Sequence, residues 1–277
     1  MSKKNTTITD EEKFALADRL AASRKYCQLE LPRETLIDLI DLASLSHHSL
    51  KEVEDVVRRK LHNLVAPYLG DPDYAHLQAL IPNLPTRLDA PQTQAFCLRT
   101  LNAHSSTRER IPINAEFYRR IFEHTGISSV ILDLACGLNP FALPWMGLPP
   151  TVQYLAYDLH LPRVQLINAF FQRFGQAGAA VHQDILVQPP RTPADVVFFF
   201  KEAHRFEQRE TGATRKFLDA LQARHILLSL PTETLTGRRS MLEQDRELVA
   251  RACAGMPWQI DELLFPTEIV FCIRKTA

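Results

Sequence analysis

Up to Gly126, apolar residues recur at three- and four-residue spacing, the mark of helices that bury one stripe. Phe14, Leu16, Leu20 and Ala21 predict a first helix, with Thr9 and Glu12 spaced as a capping box at its start. Pro32 opens a second, whose stripe is Leu36, Leu39, Ile40 and Ala43. A third runs through Leu50, Val53, Val56, Val57, Leu61 and Leu64. Pro67 and Gly70-Asp71-Pro72 then break the pattern. Further helices are predicted over Tyr74–Ile81, Gln92–Ala103 and Asn114–His124, and no strand before Gly126.

After Gly126 the apolar runs shorten to strand length: Ser129–Ala135, Gln153–Asp158, Ala179–Asp184, Ala194–Phe200, His225–Leu230, Trp258–Phe265 and Glu268–Arg274. A helix over Pro162–Phe174 lies between two of them, and strands alternating with helices build a mostly parallel sheet. The last two runs meet at Phe265-Pro266-Thr267, a connection short enough to require antiparallel pairing. The expected architecture is therefore α/β: an all-helical N-terminal domain over 1–110, then a mostly parallel sheet domain with an antiparallel last strand over 111–277.

Composition changes this picture little. Lys+Arg and Asp+Glu each number 32, and the two parts divided at Gly126 are each balanced, which counts against nucleic-acid binding through bulk basic charge but not against a local basic face. Five scattered cysteines form no CxxC pair, which argues against a zinc site or disulfide framework and fits a reducing cytoplasm. Met1–Asp10 is polar without a signal core, and no run of about 18 apolar residues offers a membrane span.

Candidate chemistry gathers at the strand ends, where open α/β sheets bind ligands. Asp133-Leu-Ala-Cys-Gly137-Leu-Asn-Pro140 ends a buried strand in an acid and a small-residue turn. With a single glycine it is no pyrophosphate cradle, so it suits a cofactor lacking one, or is an ordinary strand-to-turn junction. Asp158 ends the next strand, placed to accept from ribose hydroxyls or to face solvent. Asp184 at the third strand end, followed by Ile185, can receive an exocyclic amine beneath an apolar cover, or cap a helix. His104-Ser-Ser-Thr-Arg-Glu-Arg110 carries capping-box spacing between Ser106 and Glu109, with two arginines suited to carboxylate or phosphate. Lys201 follows Phe198-Phe199-Phe200 at a central strand end, and Pro231–Met241 is a polar loop with Arg238 and Arg239.

Taken together these segments resemble the aminoglycoside-resistance 16S rRNA (guanine-N7) methyltransferases, the family that modifies a decoding-site guanine. Ser23-Arg-Lys-Tyr26, Lys60-Leu-His62, Pro144-Trp-Met-Gly-Leu148 and the closing Glu268–Lys275 strand join the motifs above in carrying the resemblance. It implies a Rossmann-like S-adenosylmethionine methyltransferase domain, behind a helical domain that docks on the 30S subunit and its 16S rRNA. It implies cofactor contacts from Tyr68, His104, Ser105, Ser106, Arg110, Ala135, Gly137, Asp158, Asp184, Ile185 and Phe200. Substrate positioning falls to Lys201, Arg238, Arg239 and Met241, with no general base, because N7 carries a free lone pair. The sequence departs from the family at Glu233, at Lys201-Glu-Ala-His204 and at Gln244-Asp245, all on the rRNA side. Two other readings stay open: a methyltransferase for a different rRNA base, and a non-catalytic RNA-binding homologue. The expected state is a cytoplasmic monomer that engages neither DNA nor membrane.

Overall fold

The computed structural model describes residues 8–65, 72–232 and 241–276; Tyr68, Glu233, Arg238 and Arg239 lie outside them. The first three helices are α1 (Asp10–Ala21), α2 (Arg33–Ser44) and α3 (Leu50–Val65). Thr9 and Glu12 close both halves of the capping box that starts α1: the Glu12 amide donates to the Thr9 hydroxyl at 3.2 Å and the Thr9 amide to the Glu12 carboxylate at 2.9 Å. Leu16, Leu20, Leu36, Ile40, Val53, Val57 and Leu61 meet in a core that belongs to this bundle alone.

Four helices follow: α4 (Tyr74–Leu80), α5 (Pro91–Asn102), α6 (Ser105–Arg108) and α7 (Asn114–Thr125). Their buried residues Tyr74, Phe96, Leu101, Phe117 and Tyr118 share a core with sheet residues Ile131, Tyr154 and Phe198, not with the bundle. Side-chain packing thus divides after Val65, while the helices from Tyr74 to residue 110 lie against the sheet. The cause is burial: their apolar stripes and one whole face of the sheet each need a cover, and they supply it to each other.

The sheet comprises β1 (Val130–Leu134), β2 (Gln153–Asp158), β3 (Gly178–His182), β4 (Ala194–Phe200), β5 (Ala223–Pro231), β6 (Trp258–Leu264) and β7 (Glu268–Lys275). Their order is β3-β2-β1-β4-β5-β7-β6, with parallel pairing from β3 to β5 and antiparallel pairing of β7 to both neighbours. This is the Rossmann-like arrangement with an antiparallel end that the strand runs predict. Alternate residues serve opposite faces. Ile131, Val196 and Phe198 pack under α4–α7, α8 (Leu143–Met146) and α9 (Leu161–Phe174). Leu132, Leu134, Val197 and Phe199 pack under α10 (Ala203–Arg209), α11 (Ala213–Ala220) and α12 (Leu242–Cys253).

β3 stops at His182, so Asp184 stands past the strand end rather than closing it. The reason is local: the Asp184 carboxylate accepts from the Leu186 amide at 3.0 Å, which turns the chain out of the sheet.

At the start of β3, Gly178 has φ 120, and a Cβ there would run into the Tyr154 backbone of β2. Gly178→Ala is therefore expected to cost about 2–4 kcal/mol, read as a lower urea midpoint, because a strand must shift to admit one methyl group.

Candidate functional site

The strand order reverses direction at β1: β2 and β3 lie on one side, β4 and β5 on the other. The carboxyl ends on either side of such a switch point leave a crevice. Here Asp133, Ala135, Gly137, Asp158, Asp184, Ile185 and Phe200 line it. The turn after β1 depends on left-handed backbone at Ala135 (φ 50) and Gly137 (φ 53), which folds the chain close to the crevice floor. The Cys136 amide donates to the Tyr157 carbonyl at 2.9 Å and the Gly137 amide to the Asp158 carboxylate at 3.0 Å, locking that turn to the end of β2.

Asp133, almost fully buried, accepts from the Tyr154 hydroxyl at 2.6 Å and from the Asn139 amide at 3.0 Å. Burial pushes its carboxyl up to about 7, and those two neutral donors offset only part of the cost. The Asn139 carbonyl oxygen in turn accepts from Arg110 at 2.8 Å and from the Tyr118 hydroxyl at 2.6 Å. Arg110 then forks onto Glu268 with contacts of 2.8 and 2.7 Å, its guanidinium 4.2 Å from the Phe117 ring centre and 4.5 Å from that of Phe200. Burial alone would raise the Glu268 carboxyl; the Arg110 charge and its hydrogen bonds overcome this and hold it below its ordinary value.

Asp158 accepts three bonds, from the amides of Gly137 and His160 and from Arg163 at 3.0 Å. Arg163 is itself buried and donates to the Tyr74 hydroxyl at 2.9 Å. Asp184 binds Arg209 at 2.6 Å, and Arg209 reaches Asp38 of α2 at 2.7 Å, so the helical bundle and the crevice share one arginine. Leu64 of α3 also lines the crevice.

A second cleft opens from the first. His104, Ser106, Lys201, Glu202 and Arg205 line both, while Ser105, Glu109, His204, Thr232 and Met241 line the second alone. Lys201 turns the chain out of β4 in the left-handed region (φ 60), and its ammonium binds Glu109 at 2.7 Å. The Glu202 carboxyl is pushed up to about 7 by burial, partly opposed by Arg205 at 2.8 Å. His204 Nε2 lies 2.7 Å from the Asp245 carboxylate, which is fully buried.

Of the residues singled out in the sequence, the first crevice gathers His104, Ser106, Arg110, Ala135, Gly137, Asp158, Asp184, Ile185, Phe200 and Lys201. Ser105 and Met241 face only the second cleft, and Tyr68, Arg238 and Arg239 lie outside the described residues. The capping box expected between Ser106 and Glu109 does not form: His104 precedes the four-residue α6 without a side-chain cap, Ser106 Oγ stands 2.8 Å from His104 Nδ1, and Lys201 draws Glu109 away. Asp184 lines the crevice, and its carboxylate holds a turn at Leu186 rather than capping a helix. Sequence reasoning missed the neighbouring pair Glu202 and Arg205, and it missed Arg209 and the His204–Asp245 couple, whose partners are distant in sequence. Asn139 and Glu268 stood inside recognised motifs with no signal that Arg110 joins them.

Chemically the first crevice suits a nucleoside-like ligand: carboxylates for hydroxyl and amino groups, apolar cover from Ile185 and Phe200, and no phosphate cradle. The family model described as "Ribosomal RNA methyltransferase (FmrO)" matches residues 22–272. A 16S rRNA (guanine(1405)-N(7))-methyltransferase of Micromonospora rosea is 30% identical over 98% of this chain and 100% of its own length. Another, from Micromonospora echinospora, is 32% identical over 81% of this chain and 84% of its own. Among solved structures, the 16S rRNA methyltransferase RmtF, in complex with S-adenosyl-L-homocysteine, is similar with TM-score 0.74 at 27% identity, covering 97% of this chain and 100% of that one.

Glu268→Ala leaves the buried Arg110 charge without its counter-ion, and the expected loss is about 3–5 kcal/mol by guanidinium unfolding. Because the folded carboxyl lies below its ordinary 4.5, its stabilisation is present above that pH and is lost as pH falls further. The gap between wild type and variant should therefore narrow on acidification.

Proposed function

The chain belongs to the FmrO ribosomal RNA methyltransferase family, and from that premise we propose that it methylates N7 of guanine 1405 of 16S rRNA in the 30S subunit, with S-adenosylmethionine as donor, conferring aminoglycoside resistance. One observation carries the reading: the crevice lined by the strand-end carboxylates adjoins a second cleft, and His104, Ser106, Lys201, Glu202 and Arg205 line both. Group transfer between two ligands needs this connection, and a simple binding module does not.

The crevice fits the adenosyl donor by its chemistry. Asp158 keeps one lone pair, on Oδ1, for a ribose hydroxyl beyond the three bonds it already accepts, Asp184 and Ile185 flank the place of the purine, and Asp133 offers a carboxylate to an ammonium group. His104, Ser105, Ser106, Arg110, Ala135, Gly137, Phe200 and Tyr68 complete the proposed cofactor set. When bound, S-adenosylmethionine supplies a methyl group on a positively charged sulfur. The chain's own task is then positioning: guanine N7 has a free lone pair, so no residue has to remove a proton first. Lys201, fixed by Glu109, stands in the wall between the clefts, Met241 lines the second cleft, and Arg238 and Arg239 are assigned with them to substrate positioning. N7 is hidden in the narrow groove of helical RNA, so the base must leave its stack to reach Lys201.

We place the enzyme in the cytoplasm as a monomer, with the helical region 1–110 as its ribosome-docking part and residues 74–110 packed against the catalytic core. Among the described residues no helix is long and apolar enough to cross a membrane.

Expression in a susceptible bacterium tests the function directly. Growth on gentamicin and kanamycin, with N7 modification mapped by chemical strand scission of the 16S rRNA, should reveal guanine 1405 as the modified base. Asp158→Ala should abolish both. Modification at another position would move the target, and cofactor binding with no modified rRNA would leave a non-catalytic homologue.

Titration of Asp133 adds a second expectation. Its carboxyl sits at about 7, so it is protonated at pH 6 and ionised at pH 8, and only the ionised form attracts an ammonium. The affinity for S-adenosylhomocysteine should therefore rise about tenfold from pH 6 to pH 8 by linkage. In Asp133→Asn, isothermal titration calorimetry should find weaker binding and a flatter pH dependence.

A further inference from the structure

The wall between the two clefts holds a carboxylate without a place in the mechanism above. Asp133, Asp158 and Asp184 line the first cleft only and Glu109 the second only; among the described residues Glu202 is the one acid that lines both. The local backbone places it there. β4 ends at Phe200, Lys201 bends the chain through φ 60, and the Glu202 carbonyl accepts from the Arg205 and Phe206 amides as α10 begins. The side chain is anchored at one oxygen by Arg205 at 2.8 Å. Glu109, the other acid of the second cleft, is likewise held at one oxygen, by Lys201 at 2.7 Å, but does not reach the first cleft; Glu202 lines both and keeps lone pairs for a ligand.

We propose that Glu202 is a specificity-determining residue that accepts the N1–H and exocyclic N2–H of the target guanine, holding that edge so that the opposite edge, with N7, faces the cofactor crevice. The inference rests on the proposed function. Its chemistry is selective. On the Watson–Crick edge guanine alone presents two adjacent donors, which match the two oxygens of a carboxylate. Adenine and cytosine each place an acceptor beside their amino group, and uracil has one N–H between two acceptors. A carboxylate meeting such acceptors leaves them and itself unpaired in a poorly solvated place.

The same contact favours reaction over binding. Methylation at N7 makes the base cationic, which strengthens its N–H groups as donors, so the attraction to a fixed carboxylate grows as the methyl is transferred. The partial burial that raises the Glu202 carboxyl has the same meaning: two new donors favour its ionised form.

The test uses the full-length protein and reconstituted 30S subunits carrying either guanine or inosine at the target; inosine keeps N7 and N1–H and lacks the N2 amine. Glu202→Gln keeps the shape and replaces one acceptor oxygen by a donor amide. Single-turnover methyl transfer to guanine subunits should fall roughly 10- to 100-fold, with S-adenosylhomocysteine affinity within about twofold of wild type, which also shows that the variant is folded. Inosine should cost the wild type about tenfold and cost Glu202→Gln far less, because the partner of the missing amine is already gone. A variant as fast as wild type overturns the proposal. So does an inosine penalty equal in both proteins, or a rate loss matched by lost cofactor affinity, which would put Glu202 on the cofactor instead. A wild type that transfers no methyl to guanine subunits removes the functional reading and this inference with it.

Discussion

The buried fork between Arg110 and Glu268 joins residues 158 positions apart, and much of the site hangs from it. Arg110 precedes α7 and Glu268 opens β7, the antiparallel strand, so the fork ties the helices covering one face to the far side of the sheet. A third donor of the same guanidinium reaches Asn139, and through it Asp133 at the end of β1. A desolvated guanidinium costs several kcal/mol unless every direction of its fork is answered. Two carboxylate oxygens, one amide oxygen and two ring faces answer it here. Such a network is close to all-or-none: lose one member and the others are left buried and unpaired.

That constraint explains why the three crevice aspartates differ. Asp158 has Arg163 at 3.0 Å and Asp184 has Arg209 at 2.6 Å, each a direct ion pair. Asp133 has only a hydroxyl and an amide as partners, because Asn139 stands between it and Arg110. Its burial is therefore poorly compensated, and its carboxyl rises to about 7. A cationic group arriving in the crevice gains most there, since it supplies the charge that the fold withholds. Asp158 and Asp184 are fixed in orientation before any ligand arrives, which lowers the cost of ordering them on binding.

How much of this was legible in the sequence follows from the range of the signals. Strands β1, β2, β4 and β7 announce themselves because they are buried runs ended by an acid, a turn or a charge. The turn after β1 was readable at Gly137, whose left-handed backbone favours glycine. Local pattern failed where a distant partner decides. Ser106 and Glu109 have capping-box spacing, yet Lys201, 92 residues on, wins the glutamate. Asp184 reads as a strand end, but its own hydrogen bond to the Leu186 amide ends pairing two residues earlier. The pairing of His204 with Asp245 joins two positions that each departed from the resembled family's pattern, and no spacing rule connects them. The helices over 74–110 have ordinary amphipathic stripes, which record that a face is buried and not against which core.

The division of the core after Val65 does not make the helical bundle an appendage. Leu64 of α3 stands in the lining of the first crevice, and Asp38 of α2 holds one side of the arginine whose other side holds Asp184. Arg209 is largely buried, so this bridge is not a screened surface pair whose loss would pass unnoticed. Without the bundle, Arg209 would keep one carboxylate of two, Asp184 would share its partner with water, and the crevice would open along the edge that Leu64 closes. The region proposed to dock on the ribosome is thus also a wall of the proposed cofactor site. The sheet by itself supplies acids and a turn; the bundle makes the crevice between them an enclosed one.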